Sequence, residues 1–187
     1  MKPHYVLAAA IAVTSVLALA AAPEPLPAQW IIGGQNGKSF EGGVDQSDGY
    51  KGAKFIRNKT GETGVWGSLG QMISAQNYVG QRIRFRSRVR TENVTGWSGL
   101  WVNITAPDRS HNRLYNSWDK PIKGTTGWQE RSVVLDVPTD ATTIAFGVIN
   151  DGIGQVWIEP LALETVGTDV PVDTQQVQHK LPVTPSL

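Results

Sequence analysis

Hydrophobic residues between Lys120 and Val166 fall into three short runs that are separated by polar, turn-forming residues. The runs are WQERSVVLDV, TTIAFGVI and GQVWIEPLALETV, and the separators are PTDA and NDGIG. Runs rich in β-branched residues, spaced about 8–12 residues apart and bounded by Pro, Asp, Asn and Gly, are typical of antiparallel sandwiches. The pattern therefore predicts an all-β domain built from two antiparallel sheets.

A strict alternation with period 2 runs through QRIRFRSRVRT, from Gln81 to Thr91. Such alternation is typical of a half-buried strand, which places one set of side chains in the core and the other on the surface. Together with the apolar positions of the other runs, it predicts ten buried side chains. They are Ile83, Phe85, Val89, Leu100, Val102, Val134, Ile144, Phe146, Val148 and Trp157.

Five arginines, at every second position from Arg82 to Arg90, occupy the opposite face of this predicted strand. One interpretation is a structural surface, in which arginine stems cover apolar area and acids such as Glu130 or Asp136 neutralise the charged heads. The alternative is a site for an anionic ligand, because arginine binds acidic groups with a bidentate fork. Such a ligand would be a sulfated or uronic glycan, lipopolysaccharide or an acidic partner protein.

Composition divides the chain into four segments. Residues 1–22 are predicted to be a signal peptide, 23–29 a Pro-rich spacer, 30–170 the β-sandwich domain and 171–187 a disordered tail. The apolar run of the leader is short for a membrane span and is followed by no basic cluster. We therefore expect a secreted or periplasmic protein with no stable membrane insertion after cleavage.

Cysteine content and charge exclude several classes of function. The chain has no cysteine, so it has no disulfide, no thiolate metal site and no thiol nucleophile. Loss of Lys2 with the leader would leave 16 basic and 16 acidic residues, a balance that argues against nucleic-acid binding by overall charge. His111 is the sole histidine between leader and tail, and no Gly-x-Ser-x-Gly elbow occurs. We therefore expect no catalytic residues and no enzymatic activity.

Five short strings carry a resemblance to a known bacterial family. They are YVGQRIR, GLW, KPIKGTTGW, VVLDVP and GQVWIE, in this order between Tyr78 and Glu159. The chain resembles a galactose-binding-like jelly-roll module, similar to non-catalytic carbohydrate-binding modules, that is found beside secreted peptidases and esterases and in some regulators. The resemblance covers about residues 30–170 and implies a jelly-roll β-sandwich that serves as a module, while the ligand must be argued from the site.

Aromatic and polar side chains cluster in the long segment 106–124. A sugar platform needs an exposed ring that stacks on a pyranose, whereas Trp128 and Trp157 lie in apolar strands and are predicted to be structural. Long loops are often functional, although a loop that only closes the sandwich is the alternative. The predicted ligand-binding residues are Arg113, Tyr115, Asn116, Trp118 and Asp119.

Carboxylates offer a second kind of candidate site. Calcium binds oxygen ligands, and Glu41, Asp45 and Glu164 are the candidate ligands for a structural calcium ion. The alternative is that they are surface acids or turn caps. A glycosidase would also need two acids, but their spacing nominates no pair.

Carbohydrate binding by a non-catalytic module is the favoured function. The first alternative is a protein-interaction or structural module without a small ligand, and the second is a small glycoside-active enzyme. A shallow aromatic groove would favour sugar binding, a deep cleft with two facing acids would favour the enzyme, and a smooth sheet would favour the interaction module.

Export is expected to remove the leader. Small residues at Ala18 and Ala20 favour cleavage after Ala20, with Ala22 and Ala28 as alternatives. N-terminal sequencing of exported protein should therefore begin between Ala21 and Gln29. An intact Met1 on the exported protein would contradict this expectation.

Overall fold

The computed structural model describes residues 22–174 and consists almost entirely of β-strands. Within these residues, helical structure is limited to three 3-10 turns, at Gly37–Ser39, Arg109–His111 and Ser117–Asp119. Nearly all of the predicted signal peptide and the tail beyond residue 174 lie outside the described residues. The strands are β1 (Ile31–Gly34), β2 (Phe40–Val44), β3 (Lys54–Asn58), β4 (Trp66–Ser74), β5 (Arg82–Thr105), β6 (Arg113–Asn116), β7 (Ile122–Asp136), β8 (Thr143–Asp151) and β9 (Gln155–Val166).

Hydrogen bonds connect all nine strands through the 24-residue strand β5, whose two halves belong to two antiparallel layers of the sandwich, described here as two sheets. Its first half pairs with β7 on one side and with β9 on the other, and β9 continues the sheet to β3 and β2. We call this the arginine sheet. The second half pairs with β8 and β6, and β8 continues to β4 and β1. We call this the tryptophan sheet. The predicted all-β fold, a two-sheet antiparallel jelly-roll sandwich, is confirmed.

A bend in β5 allows one strand to serve both sheets. Core-facing positions are odd-numbered before the bend, as at Phe85 and Val89, and even-numbered after it, as at Leu100 and Val102. The register with β7 shifts repeatedly between Val89 and Ser98, and Asn93 has a φ of 53°, which asparagine tolerates better than most residues. The alternation from Gln81 to Thr91 and the apolar positions Leu100 and Val102 thus have opposite parity, and the structure joins both segments in one strand.

All ten residues predicted to be buried are buried, and eight of them belong to the core between the sheets. The rings of Phe85 and Phe146 lie with centroids 4.9 Å apart, one from each sheet. The other two are buried on the outer face of the arginine sheet, where Val134 is in register with Arg84 and Trp157 belongs to a second small cluster with Phe55. Tyr50 covers that cluster, with its ring centroid 5.0 Å from Trp157. Trp157 is therefore buried on the outer side of the arginine sheet.

The ends of the domain extend beyond the predicted bounds of 30–170. Glu24 forms a β-bridge with Val44. At the other end, the Asp173 backbone N–H donates to the Val134 carbonyl, and the Asp173 carboxylate accepts from the Val134 N–H at 2.9 Å and from Lys120 at 2.8 Å. Residues 171–174 thus contribute to the fold, although the sequence pattern assigned them to the tail. No helix within 22–174 has the length and apolar character to cross a membrane.

Phe146→Ala should lower the free energy of unfolding by about 3–5 kcal/mol, since it removes a ring that is only 5% exposed and leaves a cavity. Chemical denaturation measures this. Val79→Ala, at an exposed turn position, is the control and should change stability by no more than about 0.5 kcal/mol. A loss below about 1 kcal/mol for Phe146→Ala would contradict the packing.

Candidate ligand-binding site

The outward face of the tryptophan sheet carries the side chains that alternate with the core. In β5, Leu100 and Val102 point into the sandwich, so Trp101 and Asn103 between and after them point outward. In β6, Tyr115 points into the core, so Leu114 and Asn116 on either side of it point outward. Core packing thus determines which residues this face displays.

An open groove of about 460 Å³ lies on this face. Three indoles and a leucine give it apolar walls, and amides, a hydroxyl and one carboxylate add polar groups. Apolar surface with a few placed polar groups is typical of small-ligand sites. We call it the tryptophan groove, and it is lined by Trp66, Ser68, Trp97, Trp101, Asn103, Leu114, Asn116, Ile149 and Asp151.

Two glycines create the space for the central indole. Trp101 of β5 is in register with Gly147 of β8, which is in register with Gly70 of β4. A methyl group at Gly70 would lie 3.0 Å from Cζ2 of Trp101 and would clash with the carbonyl oxygen of Phe146. The indole of Trp101 therefore reaches across β8 over a part of the sheet that has no side chains.

The other two indoles lie at one end of the groove. Trp66, at the start of β4, is 40% exposed and is in register with Asp151 at the end of β8. Trp97 of β5 is partly buried. The next residue, Ser98, is in register with Asn150 of β8, so Trp97 lies beside Asp151. Trp66 and Trp97 thus belong to the strands on either side of Asp151.

Tyr115, predicted as part of a ligand platform, is in the core and is 1% exposed. Its hydroxyl donates to Oδ1 of Asp119 at 2.8 Å. Burial, together with this hydrogen bond, raises the pKa of Tyr115. This part of the prediction needs correction, because a ring enclosed by the core has no face to offer a ligand. Asp119 holds the hydroxyl of that ring.

The remaining loop candidates are divided between the groove and the surface. Asn116 lines the tryptophan groove. Arg113 is exposed, and its guanidinium donates to the carbonyls of Ser110 and Asn112. Trp118, on a 3-10 turn, is 42% exposed but is not part of the groove lining. The predicted loop site thus does not form one cluster, and a ligand at Trp118 stays a prediction.

Asp45, one of the three predicted calcium ligands, already has three donors. Its carboxylate accepts from the Ser47 backbone N–H at 2.9 Å, from the Ser47 hydroxyl, and from Nε1 of Trp157 at 2.8 Å. Burial alone would raise the pKa of Asp45, but these hydrogen bonds outweigh it and lower the pKa. Its position matches the alternative prediction of a turn cap.

The other two predicted ligands lie in salt bridges elsewhere on the arginine sheet. Glu41 pairs with Arg57, and Glu164 lies 3.5 Å from Arg84 and 3.6 Å from Arg86. Within residues 22–174, no group of three or more Asp, Glu, His or Cys side chains could share an ion. The three acids therefore do not come together as the calcium prediction requires.

The arginine row is largely neutralised by neighbouring strands. Arg82 makes two hydrogen bonds to Asp136, at 2.7 and 3.0 Å, and this partner lowers the pKa of Asp136. Arg88 donates to Glu159 at 3.0 Å and lies 5.4 Å from the ring centroid of Trp128. Asp136 is one of the two partners proposed from the sequence. These contacts favour the structural interpretation of the row.

Comparison with known proteins relates the chain to one regulator by sequence. YbfP of Bacillus subtilis, described as an uncharacterized HTH-type transcriptional regulator, is 30% identical over 155 residues, which are 81% of this chain and 52% of the regulator. The chain thus spans about half the length of the curated relative it matches. No model of a known protein family matches the chain.

Solved structures establish the class of fold. A xylan-binding domain of carbohydrate-binding module family 22 has a TM-score of 0.55 at 16% identity, over 82% of this chain and 99% of that domain. The C-terminal family 22 module of Clostridium thermocellum Xyn10B has a TM-score of 0.54 at 18% identity, over 77% and 89% of the two chains. The chain therefore has the β-sandwich fold of carbohydrate-binding modules, and at these identities the likeness concerns the fold alone.

The three groove tryptophans were missed because they lie within strands. Sequence reasoning sought aromatic residues in loops, where exposure is easiest to predict. A signal was nevertheless present: Trp101 lies between Leu100 and Val102, and period 2 alternation places it on the face opposite the core. Trp66 and Trp97 flank glycine-containing stretches with no such regular alternation, and strand pairing was needed to assign their faces.

Gly70→Ala tests the glycine floor beneath Trp101. The added methyl group would clash with the backbone of β8 and press on the indole, so we expect a loss of about 1–3 kcal/mol in the free energy of unfolding. Gly127→Ala is a matched control, because a methyl group there meets no neighbouring atom within 4 Å. Equal stability of the two variants in urea denaturation would refute this description of the floor.

Proposed function

We propose that this chain is a non-catalytic carbohydrate-binding module and that its ligand occupies the tryptophan groove. The observation that carries the proposal is the presence of three indoles on one open, outward sheet face beside amide and carboxylate groups. An indole offers a flat apolar face to the C–H face of a pyranose, and the polar side chains can orient sugar hydroxyl groups.

The fold likeness supports the same conclusion. Two of the solved structures with this fold are named as a xylan-binding domain and as a carbohydrate-binding module whose cleft residues were studied in ligand binding. We extend glycan binding to this chain as a proposal, since a shared fold by itself does not fix a ligand. The groove supplies the independent, residue-level support.

Charge in the groove supports binding without catalysis. Canonical glycoside hydrolysis requires two carboxyl groups on either side of the scissile bond. Among the residues that line the groove, Asp151 is the sole carboxylate. We also propose export to the periplasm or the medium, on the basis of the leader in the sequence.

Exposed apolar side chains favour one alternative, a protein-interaction module. Ile31, Met72 and Leu114 are each more than half exposed and lie on the outward face of the tryptophan sheet. A patch of this kind can mark a protein interface. A protein ligand would cover the whole face, whereas a glycan would depend on the groove itself.

Trp66→Ala and Trp118→Ala test whether a glycan binds in the groove or on the 106–124 loop. The two variants are matched because both remove an indole of nearly equal exposure. A glycan array with the full chain identifies a ligand, and calorimetry then compares the two variants. Trp66→Ala should weaken binding by about 1–3 kcal/mol, on the scale of burying a large apolar side chain, and Trp118→Ala should leave it unchanged.

Circular dichroism shows whether both variants are folded. Loss of binding for Trp118→Ala alone would place the ligand on the 106–124 loop and contradict the groove. Absence of binding to every glycan on the array would refute the proposed function and leave the interaction module. For an anionic glycan, a steep fall of affinity with added salt would indicate that charge dominates the interaction and would direct attention to the arginine sheet.

A further inference from the structure

Asp151 lies between two of the groove indoles. It is the last residue of β8, and its register partner on β4 is Trp66. On the other side, a methyl group at Gly96 would lie 2.6 Å from Oδ2 of Asp151, which places the carboxylate against the chain immediately before Trp97. The absence of a side chain at Gly96 gives the carboxylate its space beside the groove.

The Asp151 carboxylate has no hydrogen bond or salt bridge to any side chain or backbone group within residues 22–174. No lysine, arginine or histidine lines the groove either. Asp136 and Glu159 on the arginine sheet differ in this respect, since each is paired with an arginine. The groove therefore carries a negative charge that the described part of the protein leaves uncompensated.

Indole faces and a carboxylate both attract cations. The negative face of an aromatic ring binds a cation within about 6 Å of its centroid, and tryptophan does so best among the aromatic residues. A carboxylate adds direct charge attraction, which is stronger in a partly desolvated groove than in bulk water. A ligand with a positively charged group beside an apolar ring face would satisfy both.

We infer that Asp151, flanked by Trp66 and Trp97, makes the groove selective for glycans that carry protonated amino groups, such as chains of β-linked glucosamine. This inference rests on the proposed function. It predicts preference over neutral glycans of the same backbone and rejection of uronic or sulfated glycans, whose negative charge Asp151 would repel.

A matched pair of ligands tests the inference. Oligomers of β-1,4-linked glucosamine and cello-oligosaccharides of equal length share one backbone and differ in an amino group for a hydroxyl group. Calorimetry with the full chain, at mildly acidic pH where the amino groups are charged, should show about tenfold tighter binding of the glucosamine oligomer, or about 1.4 kcal/mol. The N-acetylated oligomer, which lacks the charge, should lose this advantage.

Asp151→Asn assigns the preference to the carboxylate. The variant keeps the shape and an acceptor oxygen but loses the charge, so it should remove the preference for the glucosamine oligomer over the cello-oligosaccharide. Asp48→Asn is the control, because Asp48 is an exposed acid on the loop between β2 and β3, away from the groove. This control should retain the full preference.

The outcomes also separate this inference from the proposed function. Equal binding of the two oligomers, or an equal loss of both in Asp151→Asn, would show that the carboxylate only accepts from hydroxyl groups and would overturn the inference while glycan binding stands. Binding of choline without binding of the glucosamine oligomer would overturn it as well. Absence of binding to any glycan would instead refute the proposed function.

Discussion

The two sheets of this domain depend on the bend in β5. Before the bend, Phe85 and Val89 face the core, and after it Leu100 and Val102 face the same core from the other sheet. A shift of one residue in a strand exchanges its two faces, so the irregular stretch around Asn93 is what keeps both halves directed inward. Without that stretch, one half of β5 would present its apolar side chains to water and its polar ones to the core.

Much of the fold follows from alternation, and the limits of the prediction follow from the same cause. Eight of the ten buried residues were predictable as core because apolar residues alternate along their strands, whereas Val134 and Trp157 lie in continuous apolar runs whose faces alternation does not assign. The continuity of β5 was not predictable, since the parity of the core-facing positions changes at the bend. The buried position of Tyr115 was also not predictable, because the short strand β6 lies in a polar segment and its burial depends on pairing with β5.

The outward faces of the two sheets differ in how they manage charge. On the arginine sheet, cross-strand acids and aromatic rings hold the guanidinium groups, and exposed pairs of this kind contribute little stability individually. Each of the five arginines from Arg82 to Arg90 has an acid or an aromatic ring beside its guanidinium group. On the tryptophan sheet, a single carboxylate lies among indoles with no cation in the groove lining. The carboxylate without a cationic partner therefore lies on the tryptophan sheet, whose strands contain few charged residues.

Core packing does not account for the groove tryptophans. Burial of large apolar side chains stabilises a sandwich, yet Trp66 leaves 40% of its surface in water, and the indole of Trp101 lies on the face of β5 opposite the core. Isolated exposed apolar residues are common on protein surfaces, but several around one concave surface are typical of binding sites. Gly70 adds one observation, because a methyl group there would lie 3.0 Å from the indole of Trp101 as well as against the backbone of β8. Core packing thus leaves the exposed faces of these indoles without a partner, and the proposed ligand would supply one.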